Sequence, residues 1–203
     1  GWETVRATDA QTGLSASSNP IQVRDEEAPH NRYWADFHGQ TEETCGSGTM
    51  EQYFAFARGR GLLDIAGHQG NDFEVSDELW RCVNATTERF NAAGAFVTFP
   101  GYEWSGNTPL GGDRNVYFSS EGGEIVHSCT DLLPDKETVH PIAPTAEELF
   151  QELRQQEDPQ PFAFAHVGGR YADLRMHDEE IERAVEIHSA WGTYEWLLAE
   201  ALE

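Results

Sequence analysis

Trp34-Ala35-Asp36-Phe37-His38-Gly39-Gln40 is a short, strand-like run that ends at once in an imidazole. The same construction recurs at Leu63-Asp64-Ile65-Ala66-Gly67-His68 and at Phe162-Ala163-Phe164-Ala165-His166. Phe96-Val97-Thr98-Phe99-Pro100-Gly101-Tyr102-Glu103 ends in a carboxylate instead. A parallel α/β barrel presents the C-terminal ends of its strands on one face, where side chains distant in sequence meet. Four strand ends carrying imidazole or carboxylate therefore predict a metal centre on such a face, and a metallohydrolase as the class of protein.

Outward from these runs, strands are expected to alternate with helices from Arg32 onward. Strands are expected at 32–37, 62–66, 95–99, 114–118, 161–166 and 184–188. Thr49 with Gln52, and Thr145 with Glu148, are spaced as capping boxes that open helices near 49–60 and after Thr145. Another helix is expected after Ser76, running to Gly94 at its C′ position, and a last one near Thr193. Residues 119–144 read as irregular. This β-then-α order predicts a mostly parallel sheet. Its units are too few for an eight-stranded barrel, so both ends are expected to have been cut from a longer protein. Trp2–Thr8 alternates like a strand, Asp9–Gly13 is a turn, and Ile21–Val23 is a second short strand. Residues 1–28 thus read as the end of a preceding β domain plus the charged linker Asp25–Pro29, and 29–203 as the metal-binding domain.

Thirty-six acidic residues against thirteen basic ones give a formal net charge of -23, and Lys136 is the only lysine. That surface repels a bare phosphate backbone and argues against nucleic acid as a partner. Most of the acid excess reads as a solvated surface, leaving a few carboxylates for cations. No apolar run reaches the ~18–20 residues of a membrane helix. Cys45, Cys82 and Cys129 fit neither a zinc ribbon nor a disulfide framework, and Cys82 falls on a helical pattern as a core residue. No signal peptide is visible; a periplasmic or extracellular location would require one in the full-length chain.

Each motif carries two readings. Asp36, His38 and Gln40 alternate onto one strand face; His38 is a ligand or a hydrogen-bonded core histidine, and Gln40 ligates weakly through its amide oxygen. Glycines flank His68 and let the backbone approach a ligand closely, which makes it the strongest imidazole candidate. Asn71 and Asp72 read as turn residues. Glu103, desolvated between aromatics, would recover its charge beside a cation and so bridges metals or pairs with Arg114. Arg114 meets an anionic substrate oxygen or a neighbouring carboxylate. His166 precedes Val167-Gly168-Gly169 and resembles His68 in setting. Glu186 and His188 share a strand face, His188 as a ligand or as a residue that orients one. His30, His127, His140 and His177 read as exposed loop residues.

The pattern Asp36-x-His38, a strand ending in His68, a strand ending in Glu103 and His166-x-Gly168-Gly169 resembles the polymerase and histidinol phosphatase (PHP) superfamily. Tyr33–Thr44, Gly67–Phe73 and Gly101–Gly106 are similar to its DUF3604 branch, over about residues 32–203. The resemblance implies a distorted (β/α)7 TIM-like barrel of PHP type, truncated at its C-terminal end and preceded by the last strands of a β-sandwich. It also implies up to three divalent ions in a complete domain and fewer here. Gln40 stands where the superfamily has a second histidine, and Cys45 stands near its usual aspartate. A Gly-Ser-Asp-x-His-like strand end is expected beyond this chain.

The expected function is metal-dependent hydrolysis, of a phosphoester first. His38, Gln40, His68, Glu103, His166 and His188 would hold Zn, Mn or Fe, with Arg114 and Glu103 acting on a small anionic ester. A hydrolase of carboxylic or sulfate esters, and a non-catalytic metal-binding or interaction module, are the rivals; oligomeric state is left open.

Overall fold

The computed structural model describes residues 1–24, 32–134 and 136–203. The expected linker at 25–29 and His30 lie outside them. The chain divides into two units, Gly1–Tyr33 and Trp34–Glu203.

In the first unit β1 (Trp2–Glu3) and β4 (Ile21–Gln22) pair antiparallel, as do β2 (Arg6–Thr8) and β3 (Ser15–Ser17). The chain doubles back where Asp9 accepts hydrogen bonds from the Gln11 N–H (2.9 Å) and the Thr12 hydroxyl (2.7 Å). Gly13 completes the turn at φ 72°, a conformation glycine adopts without steric cost. Residues 1–24 are exposed throughout. The expected end of a β-sandwich is therefore two short ladders with no core beneath them among the described residues.

The second unit runs β5 (Ala35–Gly39), α1 (Met50–Gly59), β6 (Ile65–His68), β7 (Gly70–Asn71), α2 (Asp77–Phe90), β8 (Val97–Phe99), β9 (Gly101–Ser105), β10 (Asp113–Phe118), α3 (Ala146–Arg154), β11 (Pro161–His166), β12 (Glu182–Glu186), β13 (His188–Ser189), β14 (Gly192–Thr193) and α4 (Glu195–Ala201). β5, β6 and β8 form a parallel sheet. A second sheet has the order β12-β11-β10-β9-β7, and β13 and β14 make a separate small ladder. Two strand lines run from the first sheet into the second, β6 into β7 through Gln69 and β8 into β9 through Pro100. Their register carries across: Gly67 faces Phe99, Gly70 faces Tyr102 and Asn71 faces Glu103.

The (β/α)7 barrel does not form. The strands make small sheets with four α-helices, and no closed barrel exists among the described residues. Connection length explains the difference. Residues 106–112, between β9 and β10, hold a 3-10 turn rather than a helix, and β10 lies antiparallel to both β9 and β11. No α-helix separates β11 from β12 either, although that pair is parallel. The βαβ alternation read from the sequence thus fails on both sides of β10 and β11.

Helix starts follow local chemistry. The Thr49 hydroxyl accepts from the Gln52 N–H, and Gln52 reaches back to the Thr49 N–H; Thr145 and Glu148 repeat this reciprocal cap. Ser76 caps α2. Such caps contribute about 1 kcal/mol each. α2 stops at Phe90 rather than at Gly94, which instead occupies φ 77° in a tight turn bridging Ala92 and Phe96. Cys82, expected in the core, is exposed.

The two faces of the second sheet have different tasks. Val116, Phe118, Ala163 and Ala165 are fully buried, in a core that also takes Leu149, Phe150 and Leu153 of α3. Fully burying side chains such as Val116 or Phe118 contributes about 1.5–3 kcal/mol apiece. The irregular stretch 119–144 is fastened to this core by aromatic polar groups. Trp80 Nε1 donates to the Gly123 carbonyl (2.9 Å), the Val126 N–H donates to the Tyr102 hydroxyl (3.1 Å), and Trp104 Nε1 donates to the Ala143 carbonyl (3.1 Å). On the opposite face Phe37, Phe99, Tyr117, Phe162 and Phe164 pack ring to ring at 5.1–6.0 Å. Side-chain alternation continues that face from Tyr117 to Asn115 and from Phe164 to His166. One end of the face is therefore aromatic and the other is polar. No helix among the described residues is long and apolar enough to cross a membrane.

Candidate functional site

The polar end begins with a defect in β5. Its register against β6 shifts between Asp36 and Gly39, and Asp36 Oδ1 accepts the His38 N–H at 3.0 Å. A bulge of this kind re-aims a side chain. Phe37 enters the aromatic cluster while His38, its neighbour, reaches across to β12. The expected sharing of one face by Asp36, His38 and Gln40 is lost, because Asp36 is spent on the bulge.

His38 Nδ1 lies 2.9 Å from Glu186 Oε2, and His38 Nε2 lies 3.4 Å from Glu103 Oε2. His166 Nδ1 is 3.4 Å from Glu186 Oε1 without a hydrogen bond, and the two imidazole rings meet edge to face at 4.5 Å. Asn115 Nδ2 donates to Glu186 Oε2 at 2.6 Å and fixes that carboxylate. Burial opposes a charge on His38, but its contacts with Glu103 and Glu186 outweigh this and raise its pKa to about 10. Burial also works against ionised Glu186; His166 and His38 override it and hold that carboxyl at about 2.

His38, His166 and Glu186 each offer one ligand atom, all within 4.8 Å of one another. Two imidazoles and a carboxylate suit Zn, Mn or Fe. The buried His166 Nδ1, Asp113 Oδ1 and Asn115 Oδ1 have no hydrogen-bond partner among the described residues, as fits a polar site built around a further group. The donor set thus fits a divalent transition metal. The three residues line a cleft of about 560 Å³ together with Glu103, His188 and Trp191.

Other expected site residues stand elsewhere. Gln40 lines the cleft, donates from Nε2 to Glu103 Oε2 (3.1 Å) and accepts from the Cys45 thiol. His188 is exposed on the cleft wall, its Nδ1 2.8 Å from Thr193 Oγ1, and lies outside the imidazole–carboxylate cluster. His68 is fully buried, with Nε2 2.9 Å from Thr41 Oγ1 and Nδ1 without a partner. Burial lowers its pKa to about 4, only partly offset by Glu43. Arg114 points to the other side of β10 and is sealed. It donates to Glu182 Oε2 (2.9 Å) and to the carbonyls of Gly111, Gly112 and Asp173. Its side chain is 0% exposed and each guanidinium nitrogen is bonded inside the protein, so its expected catalytic role is replaced by a structural one: a strand reverses every side chain at each residue, and Asn115 took the inward place. His127, expected in solvent, is buried with Nδ1 2.9 Å from the Asp72 carbonyl oxygen, and burial lowers its pKa.

Glu186 is the member of this cluster that the sequence passes over in favour of His188. The signal was present, since Ala184-Val185-Glu186 is another apolar run ending in a carboxylate. The expected strand, 184–188, lies two residues later than β12 at Glu182–Glu186. Asp113 lies at the start of β10, on the same face as Asn115. It is fully buried, accepts the Arg170 N–H at 2.9 Å, and is raised to about 8 by burial and then by Glu103.

Comparison with known proteins agrees with the resemblance at the family level. An uncharacterized protein of Chlamydia pneumoniae is 27% identical over 181 residues, which are 88% of this chain and 27% of that protein. Uncharacterized proteins of Chlamydia muridarum and Chlamydia trachomatis serovar D are each 26% identical over 188 residues, 91% of this chain and 28% of theirs. The chain thus spans little more than a quarter of the length of these curated relatives. A family profile described as "Protein of unknown function (DUF3604)" matches residues 10–186. That span contains His38, Glu103, His166 and Glu186, and the chain belongs to the DUF3604 family.

Proposed function

We propose that this chain carries the metal-binding part of a metal-dependent hydrolase of the PHP superfamily, acting on a small anionic ester and on a phosphoester first. The observation that carries the reading is the convergence of His38, His166 and Glu186 at the mouth of one cleft, with Glu103 beside them. A divalent transition ion, when bound, supplies a Lewis acid that lowers the pKa of water toward ~7 and polarises the ester oxygen.

The chain's own residues do the rest. His38 and His166 present imidazole nitrogens toward the two oxygens of Glu186. Asn115 holds Glu186 in place by donating to Oε2. Glu103 Oε2, restrained by the Gln40 amide, faces the cleft and accepts the proton that an attacking water releases. The aromatic plug of Phe37, Phe99, Tyr117, Phe162 and Phe164 supports the polar end from behind and limits water there. Gln40, in place of an imidazole and tied to both Cys45 and Glu103, favours a second reading in which the chain binds metal without catalysis.

Metal analysis of the purified protein, followed by a panel of chromogenic phosphate, sulfate and acetate esters, tests both. At least one tightly bound transition metal per chain and preferential release from the phosphate ester are expected. Metal without turnover of any ester leaves the binding module, and a chain that retains no metal removes both readings.

A further inference from the structure

Arg114 and Arg170 differ in what they have left to give. Every guanidinium nitrogen of Arg114 is bonded inside the protein, and its side chain is 0% exposed. The Arg170 side chain is 36% exposed, and its guanidinium donates to no acceptor among the described residues. Its nearest carboxylate oxygen, Asp113 Oδ1, is 3.8 Å from NH1 and beyond hydrogen-bond reach. Asp113 serves Arg170 differently, by accepting its backbone N–H at 2.9 Å and so anchoring the start of the side chain. The ring of Phe73 lies 5.6 Å beneath the guanidinium carbon, a cation–π contact that restrains the plane of the fork.

The loop bringing Arg170 here is wrapped tightly on the site. A Cβ on Gly168 would fall 2.6 Å from His166 Nε2 and 3.0 Å from Asp113 Oδ2. Only glycine permits that approach, and two residues later the chain presents Arg170, whose guanidinium lies near Asp113 on the sheet face that carries Asn115 and His166. An anion entering the cleft meets the carboxyl groups of Glu103 and Glu186. A fixed cation beside them offsets that repulsion, and a planar guanidinium matches two oxygens of a tetrahedral oxyanion at once.

We infer that Arg170 is the substrate-anchoring residue of the cleft, gripping a tetrahedral oxyanion, phosphate foremost, through its unused guanidinium fork. The inference rests on the hydrolase reading for its setting but is tested by binding alone. Calorimetric titration with inorganic phosphate, sulfate and acetate would be done on wild type, Arg170→Gln and Arg170→Lys, each with added Mn2+ and after chelation. Arg170→Gln should weaken phosphate binding about tenfold or more, with Arg170→Lys between, because the lysine keeps charge but loses the fork. Metal content and thermal midpoint should stay at wild-type values. Phe73→Leu, which leaves the charge but removes the ring, should weaken phosphate by about threefold.

Phosphate binding within about twofold of wild type in Arg170→Gln overturns the inference, as does wild type that binds no phosphate. Tighter binding of acetate than phosphate overturns the oxyanion class. A chain that retains no metal yet binds phosphate through Arg170 defeats the hydrolase reading and upholds this one. A metal-loaded chain whose phosphate affinity ignores Arg170 does the reverse.

Discussion

His38 and His68 both sit at the ends of parallel strands, yet the regions around them have opposite character. At His38 the strand end opens on a cleft, two carboxylates face the ring, and its pKa rises to about 10. At His68 the strand end is roofed by Thr41, no carboxylate is hydrogen-bonded to the ring, and its pKa falls to about 4. Arg170 and Arg114 repeat the contrast, one part-exposed with unused donors and one sealed with every guanidinium nitrogen bonded inside the protein. Open polar groups here have partners of like function and room for a ligand. Sealed ones are matched to the protein itself, and removing them disturbs the fold.

The largest effect that would break this comparison concerns metal. Glu186→Gln or His166→Ala should lower metal affinity by more than about 100-fold, beyond the loss usual for outer-shell partners, while His68→Gln keeps wild-type metal content. Elemental analysis after dialysis decides it, and a metal-free His68→Gln protein beside a loaded His166→Ala protein would invert the assignment.

Next in size is stability at the arginines. Arg114→Met strips buried Glu182 of its guanidinium partner, leaving only His177 beside it, and should cost about 3–5 kcal/mol. Arg170→Met should cost about 0.5 kcal/mol or less, as surface changes do. Chemical denaturation measures both, and equal costs would mean that Arg114 is not the structural member of the pair.

A third effect is the pH dependence of His68. Its folded pKa of about 4 lies below the ordinary histidine value of 6.5, so its contribution to stability is present above pH 6.5 and is lost as pH falls toward 4. That shift corresponds to a loss on the order of 3 kcal/mol. His68→Gln should flatten this part of the stability–pH curve; an unchanged slope would show that other groups set it. The smallest effect sharpens the comparison from outside. Thr145→Ala removes the cap of α3 and should cost about 1 kcal/mol with metal content untouched.

Local signals in the sequence were read well where the structure uses local physics. Thr49 and Thr145 open helices because a hydroxyl and a residue three positions on satisfy each other's backbone groups, with no help from elsewhere. The ends of the strands bearing His38 and His166 were legible for a similar reason, since an apolar run meeting a polar side chain is visible in a few residues; Glu103, expected at a strand end, stands instead in the middle of β9. What escaped was whatever a distant partner decides. Nothing in Asp113–Phe118 states that it will run antiparallel to its neighbours; that depends on the short link 106–112 and on the ladder with β11. The bulge that separates Asp36 from His38, and the choice of Glu186 over His188, depend likewise on cross-strand register.

By itself the sequence determined that imidazoles and carboxylates would terminate short apolar strands, where the helices would start, and that the surface would be strongly acidic. Tertiary structure alone decided which of those polar groups meet, because a one-residue change of register reverses the face of every side chain beyond it. It made His38, His166 and Glu186 one cluster, and it closed His68 and Arg114 inside the protein.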